Sequence, residues 1–228
     1  MLNVIEIDNL CFSYEEDPIL RNLELQVEAG ELLALVGENG AGKSTLMNLM
    51  LGNLTPTSGE IRLFGDAISK DNHYRDVAYV SQDAVRSYKF FPTTISELVS
   101  VHLRYLHRRD SVEEIIRMVG LEKHLDKRLD QLSGGQLQRV GLLLALVKDA
   151  SLILLDEPTT GIDKEFSHEL YHILQELQTH GRTIVVITHQ LAEASPFVDR
   201  VVRLRAGSLV EVPQHEWHRE EHIHDACL

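Results

Sequence analysis

Three glycines, a lysine and two hydroxyls fall within one short stretch: Gly37, Glu38, Asn39, Gly40, Ala41, Gly42, Lys43, Ser44 and Thr45. That spacing wraps a backbone around a polyphosphate. Gly37, Gly40 and Gly42 let successive N–H groups turn inward with no Cβ in the way, Lys43 reaches the β- and γ-phosphates, and Ser44 is left to hold Mg²⁺. The apolar run from Leu32 to Val36 reads as a buried strand, and Ser44 to Leu51 is apolar on a helical period. The loop therefore joins a strand end to a helix N-terminus, where anions bind. The chemistry expected of it is the binding of a nucleoside triphosphate.

Further short motifs follow in order. Leu132, Ser133, Gly134, Gly135 and Gln136 precede Leu137-Gln-Arg-Val140 and an apolar, helix-like run from Leu142 to Val147. Leu152 to Leu155 is a run of apolar residues that ends in two carboxylates, Asp156 and Glu157. This is the composition of a buried parallel strand whose tip meets a metal, because adjacent carboxylates on such a strand are costly unless a metal or a reaction needs them. Gln82 follows the strand-like Val77 to Val80, and His189 follows Thr183 to Thr188. Each stands at a strand's C-terminal end, where open α/β sheets bind ligands. Taken singly, each has a plain alternative: His189 as a satisfied polar residue, the carboxylates as a solvated strand end, Tyr14 as a packed tyrosine.

Taken together, these motifs resemble the ATP-binding cassette family, from about Val4 to about Val212. The resemblance implies an α/β fold of the P-loop type, with a parallel-sheet core, an N-terminal antiparallel β layer and an inserted helical subdomain. It divides the chain into residues 1–83 (β layer and first part of the nucleotide-binding core), 84–148 (helical subdomain with the signature), 149–211 (second part of the core) and 212–228 (a histidine-rich tail). Roles follow by position. Asp156, with Ser44 and Gln82, is implied to hold Mg²⁺, Glu157 to act as general base, and His189 to sense the γ-phosphate of ATP. Ser133 and Gly135, within the signature completed by Gly134 and Gln136, are implied to bind ATP held by a second copy in a head-to-tail dimer. Asp163 matches the loop between the two sites, and Tyr14 matches the aromatic that stacks on adenine.

Composition bounds the partners. A net charge of −13 on 228 residues, with no segregated basic patch, argues against a nucleic-acid surface. Cys11 and Cys227 show no paired spacing, so a reduced compartment is expected. The N-terminus shows no signal peptide, and no apolar run approaches the ~20 residues of a membrane helix. Any membrane role therefore needs partners. The resemblance implies integral membrane permease subunits docked on the helical subdomain near Gln82, at the cytoplasmic face of the membrane, and an extracytoplasmic metal-binding protein in the full system.

Two features bear on cargo. Tyr79-Val-Ser-Gln82 with Phe91-Pro-Thr-Thr-Ile-Ser-Glu-Leu-Val99 resembles the zinc and manganese importer branch, with Ser81 where proline is common. The tail carries His215, His218, His222 and His224, and the first three share one face if that segment is helical. One reading is a regulatory Zn²⁺ site helped by Asp225 and Cys227; the other is a solvated end with scattered histidines. Two alternatives stay open at this point: a cassette ATPase for another cargo, and a soluble cassette ATPase outside transport. The short gap between Gln82 and Ser133 and the absence of an internal repeat favour transport.

Overall fold

The computed structural model describes residues 2–15, 17–81, 85, 87–108, 112–160 and 164–217. Its frame is a six-stranded sheet in the order β10-β9-β3-β8-β7-β6, built from β3 (Leu32–Val36), β6 (Val77–Val80), β7 (Leu152–Asp156), β8 (Thr183–Thr188), β9 (Arg200–Arg205) and β10 (Ser208–Glu211). All neighbours run parallel except the β9–β10 hairpin. Every residue of β3 and β8 is buried, as a parallel sheet covered on both faces requires.

The period of two along these strands divides the core. Leu32, Ala34, Val36, Ile153, Leu155, Ile184 and Val186 point to one face, while Leu33, Leu35, Leu152, Leu154, Val185 and Ile187 point to the other. On the second face lies α1 (Lys43–Met50), whose Leu46, Met47, Leu49 and Met50 share a core with a four-stranded antiparallel sheet. That sheet has the order β2-β1-β4-β5, from β1 (Asn3–Tyr14), β2 (Asp17–Glu28), β4 (Ser58–Leu63) and β5 (Asp66–Ala67). β1 continues for 12 residues, past a polar pair in its middle. The polar Asp8 and Asn9 interrupt the apolar alternation, but the chain absorbs them as a register shift between Ile7 and Leu10 with Asn9 at φ 48°.

The other face carries α4 (Gly134–Val147), α5 (Lys164–Thr179) and α6 (Leu191–Ala194), and between β6 and α4 the chain forms α2 (Ile95–Tyr105) and α3 (Glu113–Met118). The helical character expected of 84–148 is thus present in the described residues. Reciprocal capping boxes start α2, Thr94 with Glu97, and α4, Ser133 with Gln136. Arg139 of α4 ties this region together. It donates to the Val119 carbonyl at 2.8 Å, pairs with Glu169 of α5 and lies 4.5 Å from the centre of the Phe166 ring.

Arg139→Met keeps much of the side-chain volume but leaves the Val119 carbonyl without its donor. Urea unfolding should show a loss of about 1–3 kcal/mol, with faster amide exchange in α3 and at the start of α4. An unchanged midpoint and exchange pattern would remove Arg139 from this role.

Candidate nucleotide site

The phosphate loop is shaped by contacts with three strands. It leaves β3 at Val36, and a Cβ on Gly37 would lie 2.5 Å from the Leu204 carbonyl of β9, so a larger residue does not fit. Gly42 has φ 103°, and a Cβ there would sit 3.0 Å from Ile19 and Leu20 of β2. Gly42 is also the N-cap of α1 and supplies no side-chain cap. The first N–H groups of the helix therefore face the loop without a side-chain acceptor, the arrangement that receives anions. Glu38, Asn39 and Gly40 form the exposed tip, Ala41 is half-buried, Ser44 is exposed and Thr45 is half-buried. Lys43 is buried, and its ammonium donates to the carbonyls of Gly37 at 2.7 Å and Glu38 at 3.1 Å, which holds the cation inside the loop.

Asp156 and Glu157 stand where β7 ends, and His189 where β8 ends. Asp156 accepts from the Tyr79 hydroxyl at 3.3 Å and lies within hydrogen-bonding reach of Ser44. Burial pushes the Asp156 carboxyl above its ordinary range and the nearby Glu157 adds to this, while Tyr79, Lys43 and Ser44 act in the opposite sense. The Asp156 carboxylate and the Ser44 hydroxyl are hard oxygen donors of the kind that suits Mg²⁺.

Glu157 occupies the left-handed region, with φ 52°. A non-glycine residue is held there at a cost, and here its amide donates to the Ile187 carbonyl of β8 at 2.9 Å. The turn directs its carboxylate to His189 Nδ1 at 2.6 Å and to the Thr160 hydroxyl at 3.0 Å. Since an ionised carboxylate only accepts, Nδ1 carries the proton in this pair. Thr159 and Gln190 brace the same two loops, with the Thr159 hydroxyl donating to Gln190 Oε1 at 3.2 Å. The sequence offers Tyr79 only within the segment that ends at Gln82, and it gives Thr160 and Gln190 no role. The local signals are a tyrosine in a short strand, a threonine three residues after Glu157 and a glutamine next to His189.

The signature lies elsewhere in the chain. The Ser133 hydroxyl accepts from the Gln136 amide at 3.2 Å, and Gln136 Oε1 accepts from the Ser133 amide at 3.1 Å. Gln136 Nε2 is 3.1 Å from His124 Nε2; the amide nitrogen can only donate, so that ring nitrogen accepts. Ser133, Gly134, Gly135 and Gln136 line an open, polar pocket of about 560 Å³ with His124 and Arg139. None of the phosphate-loop residues, Asp156, Glu157 or His189 lines it, so one chain holds the two halves apart. Tyr14, at the end of β1, is exposed and packs edge-on against Phe12 at 4.8 Å. His215 is exposed in a 3-10 turn beside Glu216. Among the described residues no group of three or more His, Cys, Asp or Glu is placed to hold a metal ion. Gln82, Asp163, His218, His222 and His224 lie outside the described residues.

The family model for the ABC transporter matches residues 20–160. The zinc transport system ATP-binding protein TroB of Treponema pallidum is 36% identical over 216 residues, covering 91% of this chain and 80% of that protein. The manganese transport system ATP-binding protein MntB of Bacillus subtilis is 34% identical over 219 residues, with 92% and 86% covered. Among solved structures, cbiO1 from Clostridium perfringens, part of the ABC transporter complex cbiONQ, aligns with a TM-score of 0.84 at 26% identity, covering 96% of this chain and 92% of that one. The chain belongs to the ABC transporter family, as an ATP-binding cassette. It is the ATPase subunit type of such transporters, and no helix among its described residues is long and apolar enough to cross a membrane.

The raised Asp156 pKa has a stability consequence. A carboxyl that holds its proton more tightly when folded loses stability as pH rises from the ordinary carboxylate value, about 4, through the raised one. Asp156→Asn removes that loss. Its melting temperature should exceed the parent's at pH 7.5, and the gain should shrink as pH falls toward about 4. A gain that grows on acidification would contradict this sign.

Proposed function

We propose that the chain binds ATP with Mg²⁺ at the C-terminal ends of β3, β7 and β8 and hydrolyses it to drive import of a divalent metal ion such as zinc or manganese through separate permease subunits. The observation that carries the catalytic reading is the gathering of Lys43, Asp156, Glu157 and His189 at the tips of adjacent strands. Lys43 and the loop amides hold the β- and γ-phosphates, and Tyr14 offers an exposed ring for adenine. Ser44, Asp156 and Gln82 hold Mg²⁺, which when bound neutralises charge on the triphosphate oxygens. Glu157 takes a proton from the attacking water as the water oxygen bonds to the γ-phosphorus and the bond to the bridging oxygen breaks, which leaves ADP and inorganic phosphate. His189 keeps the Glu157 carboxylate oriented through Nδ1.

The absence of phosphate-loop residues from the lining of the signature pocket supports completion of each site by a second copy, with Ser133 and Gly135 of one chain facing the ATP of the other and Asp163 passing between. ATP joins the cassettes and hydrolysis releases them, which provides the stroke. For the permease, the supporting surface is apolar and exposed. Phe90, Phe91, Val101, Tyr105 and Tyr74 stand out from the helical side, beside a groove of about 360 Å³ that includes Tyr88, His102 and Lys148. On this reading the cassette is peripheral, on the cytoplasmic face, in a system that also uses an extracytoplasmic metal-binding protein. The cargo reading rests on the relatives named for zinc and manganese transport. Under it the histidine-rich tail, 212–228, binds Zn²⁺ and slows the ATPase when cytosolic metal is plentiful.

Glu157→Gln should keep ATP and Mg²⁺ binding, lose about 100-fold or more in hydrolysis rate and accumulate as an ATP-bound dimer by size-exclusion chromatography. Hydrolysis at the parent rate would exclude Glu157 as the base. Lys43→Ala should instead weaken nucleotide binding itself. The tail is tested by a chain ended after Trp217 and not earlier, because Trp217 is buried and its indole N–H donates to the Val212 carbonyl at 2.8 Å. Unchanged zinc affinity and unchanged zinc response of the ATPase in that shortened chain would end the sensor reading.

A further inference from the structure

α5 buries Phe166, Leu170, Tyr171, Ile173, Leu174 and Leu177 toward the sheet and leaves His168 and His172 exposed. The two histidines are one turn apart, on the same side of the helix. Their ring centres are 4.5 Å apart with planes at 72°. Both rings also rest against Phe197, with centres at 5.2 Å for His168 and 5.0 Å for His172. Phe197 in turn stacks on the buried Tyr171 at 5.4 Å and 12°, so the floor under the pair belongs to the core. Among the described residues neither imidazole makes a hydrogen bond or ion pair; their contacts are with each other and with Phe197.

We propose that His168 and His172 form a two-imidazole site for a borderline divalent cation, Zn²⁺ in particular, on the outer face of α5. Two neutral imidazoles one helical turn apart offer ring nitrogens to a common ion, and packing against Phe197 lowers the conformational freedom lost on binding. Glu165 and Glu176 fall one turn to either side on the same side of the helix, and their charges favour a cation there. Solvent supplies the remaining positions, so the ion exchanges readily, unlike one in a closed four-ligand structural site. Imidazole nitrogen binds Zn²⁺ in preference to Mn²⁺, which suits harder oxygen ligands. Neither histidine belongs to the phosphate loop or lines the signature pocket, although Glu165 does line that pocket, and the pair is separate from the tail.

The test is calorimetric titration with Zn²⁺, in Mg²⁺ excess, of the full chain, of H168Q/H172Q, of each single variant and of the chain ended after Trp217. The full and shortened chains should both show the site. H168Q/H172Q should lose it, and each single substitution should weaken it tenfold or more. Zn²⁺ should raise the melting temperature of the parent more than that of the double variant, as preferential binding to the folded state requires. Basal ATPase activity equal to the parent's confirms that the variants fold. Equal stoichiometry and affinity in parent and double variant overturn the proposal, as does a site that disappears only when the tail is removed. A tail that binds no zinc leaves this site untouched, and loss of this site leaves the tail reading to its own test.

Discussion

The structure depends on one constraint, the burial of a parallel sheet on both faces. β3 and β8 are buried along their whole length and β7 along all but its last residue, so their interiors admit no unpaired charge. Polar groups required by the chemistry can stand only where the strands stop. Lys43, Asp156, Glu157 and His189 occupy those positions, and the order β9-β3-β8-β7 brings them side by side although they are far apart in the chain. The same register that splits the apolar residues between two cores gives the loops a rigid base, because β3 and β8 pair from Leu32 to Val36 without a shift.

Within that frame the site is held under modest strain. Glu157 keeps a left-handed backbone, Asp156 keeps a carboxyl that burial disfavours in its charged form, and Gly37 fits only because it has no side chain beside Leu204. The first two costs are offset by neighbours: the Ile187 carbonyl for Glu157, and the Tyr79 hydroxyl and Lys43 ammonium for Asp156. On the helical side the constraint is different. The signature begins a helix whose first turn is closed by Ser133 and Gln136 reciprocally, and Gln136 is further tied to His124. That closure holds the signature at a defined helix start, in an open pocket away from the phosphate loop of the same chain.

Much of this was legible from local pattern. The phosphate loop, the strand before the carboxylates and the signature each join a residue type to a period or a spacing, and all three stand on the expected elements. The full length of β1 is not legible in this way, because its polar interruption at Asp8 and Asn9 is a bulge, and a bulge is settled by pairing with β2 and β4. Tyr79, Thr160 and His124 were illegible for a related reason. Each makes a hydrogen bond to a residue on another element or across a turn, and nothing in their immediate sequence distinguishes them from packed or solvated residues.

The sequence by itself determined what chemistry the chain can carry. A glycine-rich loop with its lysine, paired carboxylates after an apolar run and a histidine after another are statements about residue types at short range, where backbone geometry and desolvation act directly. Only the tertiary structure decided how these groups face one another. The Glu157–His189 contact, the burial that shifts Asp156 and the packing of two surface histidines on Phe197 arise from strand order and helix placement. Those are set by the cooperative burial of distant apolar segments, which no local spacing encodes.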